Sequence, residues 1–322
     1  MAHLLEQMAY VGETPWHGLG NSLAPQQPLE VWAQQAGMDW QIEESPVHFM
    51  SDRVAHLSTM NIFPEQKVLY RSDSKQALSV VSQRYKIVQP REVLEFYRDL
   101  TDIAGYELET AGVLKGGKKF WALAKTGQSV ALKGKDQVHG YLLLATSCDG
   151  TLATTATPTT IRVVCNNTLS IAVNGTTQAI KVPHSTRFDS QVVKQQLGVA
   201  VAQWDTFMYQ MRMLSERKVK PHEEMSYLLR VLCDTQATSG EPVKLRNERA
   251  LKKAQSLYSG QGRGSELVAA KGTAWGLLNA VTEYVDHEKR ARSTGHRIDS
   301  AWFGQGATIK QRALDSALQL VA

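Results

Sequence analysis

The chain has 322 residues, a formal charge of +5, 43% hydrophobic and 21% charged residues, which excludes a largely disordered chain and allows one large domain or two medium ones. The net charge conceals an asymmetry: residues 1–109 carry 8 basic and 15 acidic side chains, residues 110–180 carry 7 and 2, and residues 181–322 carry 21 and 14. An acidic first third ahead of a basic remainder points to a polyanionic partner, the alternative being scattered solvated charge.

In chain order, the first 60 residues read as loop-rich, with turn formers and two rings in Thr14-Pro15-Trp16-His17-Gly18-Leu19-Gly20. A short helix is predicted over residues 28–36, since Pro fits a first turn and Leu29, Trp32, Ala33 and Ala36 recur at helical spacing. Alternating apolar runs predict strands over 67–71 and 78–81. Residues 90–104 read as a helix begun by Pro90, lined by Val93, Leu94, Tyr97 and Leu100, and stopped by Gly105.

The middle third reads as a sheet, with strands over 107–114, 118–125 and 138–147, and Lys115-Gly116-Gly117 as a hairpin turn. The Thr-rich run 151–160 suits another strand, and Asn166 or Asn167 is read as capping a short helix that follows Cys165. From residue 189 the period changes to that of helices, predicted over 189–217, 221–233, 242–258, 265–291 and from Ala307 onward. The fold class is therefore α+β: an antiparallel sheet in the middle third, then a mostly helical C-terminal third. The expected division is a β-rich α+β domain with a loop-rich start over 1–180, and a helical region over 181–322 that packs on it or forms a subunit interface.

Residues 1–8 lack a basic segment followed by a long apolar run, and no apolar stretch is long enough to span a bilayer, so a soluble cytoplasmic protein is expected. Three cysteines (Cys148, Cys165 and Cys233) without CxxC spacing argue against a disulfide framework or a closed zinc site. No histidine pair has the spacing of helical metal ligands, and no cofactor or metal is expected. Gly112 to Lys118 satisfies the GxxxxGK part of a phosphate-binding loop. The next residue is Lys119, where Ser or Thr is needed, and a strand follows instead of a helix.

Two basic constellations carry the functional expectation. Lys115, Lys118, Lys119, Lys125, Lys133 and Lys135 interleave with Phe120 and Trp121, with Arg162 downstream. Single-strand binders combine cations that track phosphates with rings on which bases stack, although strand alternation leaves at most one of these two rings to stack. The plain alternative is a hairpin with lysines on its wet side. The second constellation, Lys289, Arg290, Arg292, His296 and Arg297, precedes Trp302 and Phe303 and a Gly-x-Gly turn opening a helix with Lys310 and Arg312. Its alternative is a helix C-terminus decorated with cations, with the two rings anchoring the last helix.

The chain resembles a family of phage/plasmid-like proteins that carry domain of unknown function 932. The resemblance rests on Pro15-Trp16-His17-Gly18-Leu19-Gly20, Ser147-Cys148-Asp149-Gly150-Thr151 and Arg162-Val163-Val164-Cys165-Asn166-Asn167-Thr168-Leu169. It continues in the run from Gly272 to His287, around Trp275, and in Ser300-Ala301-Trp302-Phe303-Gly304. Relatives often carry His where this chain has Cys148. The resemblance implies a mobile-element origin, and a basic sheet backed by a helix is similar in outline to phage single-strand annealing proteins, which form rings and bind DNA along a positive groove.

The expected function is accordingly nucleic-acid binding, of single-stranded DNA, in recombination or replication, by a homo-oligomer with no membrane partner. Lys115, Lys118, Lys119, Trp121, Lys125, Arg162, Arg290, Arg292, Arg297 and Lys310 would form the basic groove, without covalent chemistry. The alternatives are a hydrolytic or nuclease-like enzyme using Asp149, Cys165, Asn166, Asp286 and His287, or a non-catalytic assembly or host-interaction protein.

Overall fold

A computed structural model describes residues 5–12, 19–54, 57–173, 176–201, 203–233 and 247–321. Pro15, Trp16, His17 and Gly18 lie outside the described residues, as does the beginning of the helix expected over 242–258. The chain opens with β1 (Leu5–Val11), β2 (Asn21–Leu23), α1 (Leu29–Gln35), β3 (Ile42–Val54), β4 (Leu57–Arg71) and β5 (Ala77–Ser82). Next come α2 (Pro90–Ala104), β6 (Glu107–Leu114), β7 (Lys119–Leu132), β8 (Asp136–Ser147) and β9 (Thr154–Arg162). Four short strands follow: β10 (Asn167–Ser170), β11 (Ala172–Val173), β12 (Thr176–Thr177) and β13 (Ile180–Val182). The helices α3 (Ser190–Val201), α4 (Trp204–Glu216), α5 (Pro221–Leu232), α6 (Glu248–Ser256) and α7 (Ala274–Glu283) come next. The last two are α8 (Thr294–Phe303) and α9 (Gln305–Leu318). The class is α+β, with sheets in the first two-thirds that are antiparallel apart from the parallel pair β1 and β2, and helices in the last.

The chain forms two compact units. The first comprises Met1–Thr126, Leu142–Thr157 and Ala179–Leu197. Its strands run in the order β13-β9-β8-β7-β6-β1-β2, and β3-β4-β5 form a separate sheet. α2 ends where Gly105 takes φ 67°, a left-handed value that glycine adopts without a Cβ penalty. The buried side of α2 supplies Val93, Leu94, Phe96 and Tyr97 to a core shared with Ala111, Phe120, Ala122 and Leu144. Tyr97 Oη lies 3.0 and 2.8 Å from the carbonyls of Ala122 and Leu142, so this buried hydroxyl has partners. The turn of Lys115, Gly116 and Gly117 has φ of 56°, 68° and 95° and joins β6 to β7 as a hairpin, so that a strand follows where a phosphate-binding loop would open a helix.

The second unit comprises Gly127–Tyr141, Pro158–Gln178 and Gly198–Ala322. Its strands run β10-β9-β8-β7, and its core gathers Phe207, Met211, Tyr227, Leu228, Leu277, Val281 and Leu314 from the helices. Three expectations change here. The helix expected after Cys165 is β10, because Asn166 takes φ 52° and closes a tight return from β9. The single helix expected over 189–217 is two, since its apolar stripe serves two cores: Val193 and Leu197 belong to the first unit's, and Trp204, Phe207 and Met211 to the second's. The helix expected from 265 starts at Ala274, where Gly272 has φ 66° and Thr273 Oγ1 accepts the Gly276 amide at 3.1 Å.

Candidate functional site

A buried polar cluster lies in the second unit, built on the ends of two paired strands. Asp136 is the first residue of β8 and Arg162 the last of β9. Arg162 donates Nε to Asp136 Oδ1 at 2.7 Å and Nη2 to Oδ2 at 2.8 Å, with both side chains essentially unexposed. This fork-to-carboxylate pairing is the geometry in which a buried ion pair satisfies its own hydrogen-bonding needs. Trp275 in the first turn of α7 donates Nε1 to the same Asp136 Oδ2 at 2.9 Å. Arg162 also donates to the carbonyls of Arg263 and Gly264, at 3.2 and 3.0 Å. Gly264 has φ 67°, and a Cβ there would lie 2.6 Å from Val164 Cγ1 and 3.0 Å from Arg162 Nη2, so the close approach requires glycine.

The return from β9 to β10 is then held against α7. Asn167 Nδ2 donates to Thr282 Oγ1 at 3.0 Å and to the Asn279 carbonyl at 3.3 Å. Thr168 donates its amide to Asp286 Oδ2 at 2.8 Å, while Lys310 Nζ donates to Asp286 Oδ1 at 2.8 Å and to Thr168 Oγ1 at 2.6 Å. His287 Nε2 faces the Cys165 carbonyl at 2.8 Å and donates to it. Trp275, Asn279, Thr282, Glu283 and Asp286 recur three, four or one apart, the spacing of one helical face. Past Glu283 the helix widens into a π turn, Tyr284–Glu288, closed by Lys289 N donating to the Tyr284 carbonyl at 2.7 Å. Successive side chains on a regular helix diverge by about 100°; here Asp286 and His287 both reach the 163–168 segment, at different points.

Burial dominates the electrostatics. It pushes the Cys165 thiol up to about 12, against the opposing pull of Arg162. A thiol held protonated is neither nucleophile nor metal ligand at neutral pH. Burial also raises Glu283, although both its oxygens accept the Arg263 amide, at 3.1 and 3.0 Å. His287 is lowered by burial, and Asp286 opposes that shift. Among the described residues no three His, Cys, Asp or Glu side chains are grouped as a metal ion would need, and no helix is long and apolar enough to cross a membrane.

The residues singled out from the sequence fall into separate places. In the first unit, Phe120 and Trp121 are both buried, at 0% and 1% exposure, so neither ring offers a face to a base. Lys119 is buried, Lys115 and Lys118 are half-buried, and Lys125 pairs with Glu109 at 2.6 Å. Asp149 also belongs to this unit, where it accepts the Thr151 amide and hydroxyl at 3.0 and 2.6 Å. In the second unit, the Arg162 and Lys310 charges are taken up by Asp136 and Asp286. A buried, paired cation has no charge to offer a phosphate. Arg297 donates to the His287 carbonyl, and the Asn166 side chain is exposed.

Arg290 and Arg292 are exposed, and among the described residues no carboxylate lies within ion-pairing distance of them. Arg263 is exposed as well, next to the Glu283 that its amide holds. Lys253 reaches the π turn through Glu288 at 3.2 Å.

Sequence reasoning gave no site role to Asp136 or Arg263, and singled out Trp275, Asn279, Thr282 and Glu283 only as part of the family resemblance. Two signals were present: Asp136 is one of only two acidic residues in 110–180, and the polar residues of α7 share one helical face.

No curated protein and no solved structure matches the chain. The family described as Domain of unknown function (DUF932) matches residues 77–302, which include the β9–β10 return, α7 and the π turn, and the chain belongs to that family.

Proposed function

We propose that the protein binds nucleic acid, with single-stranded DNA as its ligand, through the exposed cations around the π turn Tyr284–Glu288. Arg290 and Arg292 form the contact, with Arg263 and Lys289 at its margin. One observation carries this reading: Arg290 and Arg292, just past the turn, are exposed with no carboxylate within ion-pairing distance among the described residues, and the turn's buried Asp286 is committed to Lys310. Phosphates would take the place of carboxylates, releasing counterions. The partly exposed Trp302 and Phe303, at the end of the helix that Arg290 and Arg292 precede, are the rings on which unpaired bases would stack. The basic face of the β6–β7 hairpin is no part of this reading, since its rings are buried. A role in recombination or replication of a phage or plasmid goes with it.

The test is fluorescence anisotropy of a labelled oligothymidylate across a salt series, with duplex DNA and single-stranded RNA of equal length beside it. Affinity for the single strand should fall steeply with salt, and Arg290→Ala with Arg292→Ala should weaken binding and flatten the salt slope by about two charges. Binding that ignores salt, or a double variant that binds as the parent does, would remove the proposal.

A further inference from the structure

In the first unit, β3 and β4 run on together past β5, which pairs with β4 from Gln66 to Tyr70. The β3–β4 register jumps between Pro46↔Lys67 and Val47↔Phe63, and a bulge of this kind bends the strand. Beyond it the pairing is regular through Val47↔Phe63, His48↔Ile62, Phe49↔Asn61, Met50↔Met60 and Ser51↔Thr59. Strand alternation therefore puts His48, Met50, Met60 and Ile62 on one face of this two-stranded stretch. Met50 and Met60 are direct cross-strand neighbours, a relation that sets Cβ atoms about 4.5–5.5 Å apart. His48 is two residues along from Met50, a rise of roughly 7 Å, and stands diagonally across from Met60.

Packing does not explain the pair. Methionine is flexible and apolar, and in protein interiors it fills irregular gaps. Met50 and Met60 are instead 68% and 66% exposed, and His48 is exposed on the same face. Two thioether sulfurs and an imidazole thus stand together within reach of a solute. Residues 46–51 and 59–64 contain no carboxylate, the side chain that magnesium and calcium select. Asp52 follows Ser51, where the register shifts again.

We propose that His48, Met50 and Met60 form a binding site for a soft monovalent ion of the copper(I) class, held by two sulfurs and one nitrogen. Thioethers are soft donors that select copper(I), and imidazole suits copper as well. One hairpin supplies all three donors, so the ion gathers side chains that the strand pairing already holds as neighbours. The cysteines do not compete for it in the folded protein. All three are buried, and burial pushes the Cys148 and Cys165 thiols up to about 12. The thiolate, and not the thiol, is the metal ligand. The site is independent of the cations around the π turn, which belong to the second unit.

The experiment titrates the full chain into copper(I) held by bicinchoninate, a coloured chelator, with ascorbate present and oxygen excluded. The parent should withdraw one equivalent of copper(I) from the chelator. Met50→Leu with Met60→Leu removes both sulfurs and keeps the apolar bulk, so melting temperature and circular dichroism should match the parent's. Its affinity for copper(I) should fall about tenfold or more, since even partners outside the ligand shell are worth that much at metal sites. His48→Gln should weaken binding too, and X-ray absorption of the parent complex should show two sulfur ligands and one nitrogen. A parent that takes up no copper(I), or a double variant that binds as the parent does, would overturn the proposal. Binding that survives in the double variant and disappears when the cysteines are alkylated would assign the ion to the thiols, against the proposal.

Discussion

Arg162 and Asp136 meet as a two-point ion pair, at 2.7 and 2.8 Å, with 2% and 0% of their side chains exposed. The pair joins β8 to β9, and Trp275 Nε1 and the carbonyls of Arg263 and Gly264 extend it to α7 and the 262–264 loop. Its role is to fix where the family-matched segments of the second unit stand, and it takes from the sequence-predicted groove a cation that would otherwise have been available.

Removing one partner leaves a buried charge alone. Asp136→Ala or Arg162→Met should each destabilise the protein by about 3–5 kcal/mol, whereas the double replacement by apolar residues should recover most of that loss. Urea-unfolding midpoints at fixed slope measure all three. Single variants as stable as the parent would show that the pair is not buried in solution.

Asp286 and Lys310 should behave as a coupled unit, because both also hold Thr168. In a double-mutant cycle with Asp286→Asn and Lys310→Met, the interaction energy should be about 1–3 kcal/mol. Additive losses would place the two side chains in separate environments.

His287 gives the second unit a defined response to acid. Burial holds its folded pKa below the ordinary 6.5, with Asp286 opposing and Arg263 and Lys310 adding to the shift. The unfolded chain therefore takes up the proton first. The contribution is fully present above 6.5 and is lost as pH falls through the depressed folded value. Glu283, raised by burial, has the opposite sign: its contribution is present below its ordinary 4.5 and is lost as pH rises through the raised value. Comparing the pH dependence of unfolding with that of His287→Gln, which keeps a donor for the Cys165 carbonyl, isolates the histidine. The variant should lose less stability between about pH 7 and pH 5 than the parent.

All three cysteines are buried, and burial pushes both Cys148 and Cys165 up to about 12. Ellman's reagent should find no fast-reacting thiol in the native protein at neutral pH and three after denaturation. A rapid native thiol would reopen the nucleophile reading of Cys165.

Gly264→Ala should destabilise the protein by roughly 1–3 kcal/mol through its left-handed backbone, besides the contact with Val164. A loss well below that, read from the melting temperature, would mean that the 262–264 loop moves away from Arg162.

Much of the fold was legible because its signals are local. The α2 boundaries follow from Pro90, the Val93–Leu100 stripe and Gly105, and the β6 limits and β6–β7 turn follow from alternation broken by Lys115, Gly116 and Gly117. The long β3–β4 hairpin was not, since its distal half, apolar on both faces, lacks the one-sided alternation that marks a strand. α8 was hidden in the same way: its Ser293 cap sits inside a basic run that reads as a helix end, yet Ser293 Oγ accepts the His296 amide at 3.3 Å.

By itself, the sequence determined the α+β class, the helix and strand stops set by Gly and Pro, and the resemblance that the DUF932 match establishes. Only the tertiary structure decided which charges are spent. Arg162 and Arg290 are alike in the sequence, but Arg162 ends a strand beside Asp136 and is buried, while Arg290 follows a π turn and stays in water. Charge is a property of the residue. Its availability depends on which partner the fold brings within hydrogen-bonding distance, from 26 positions away for Arg162 and Asp136 or 24 for Lys310 and Asp286.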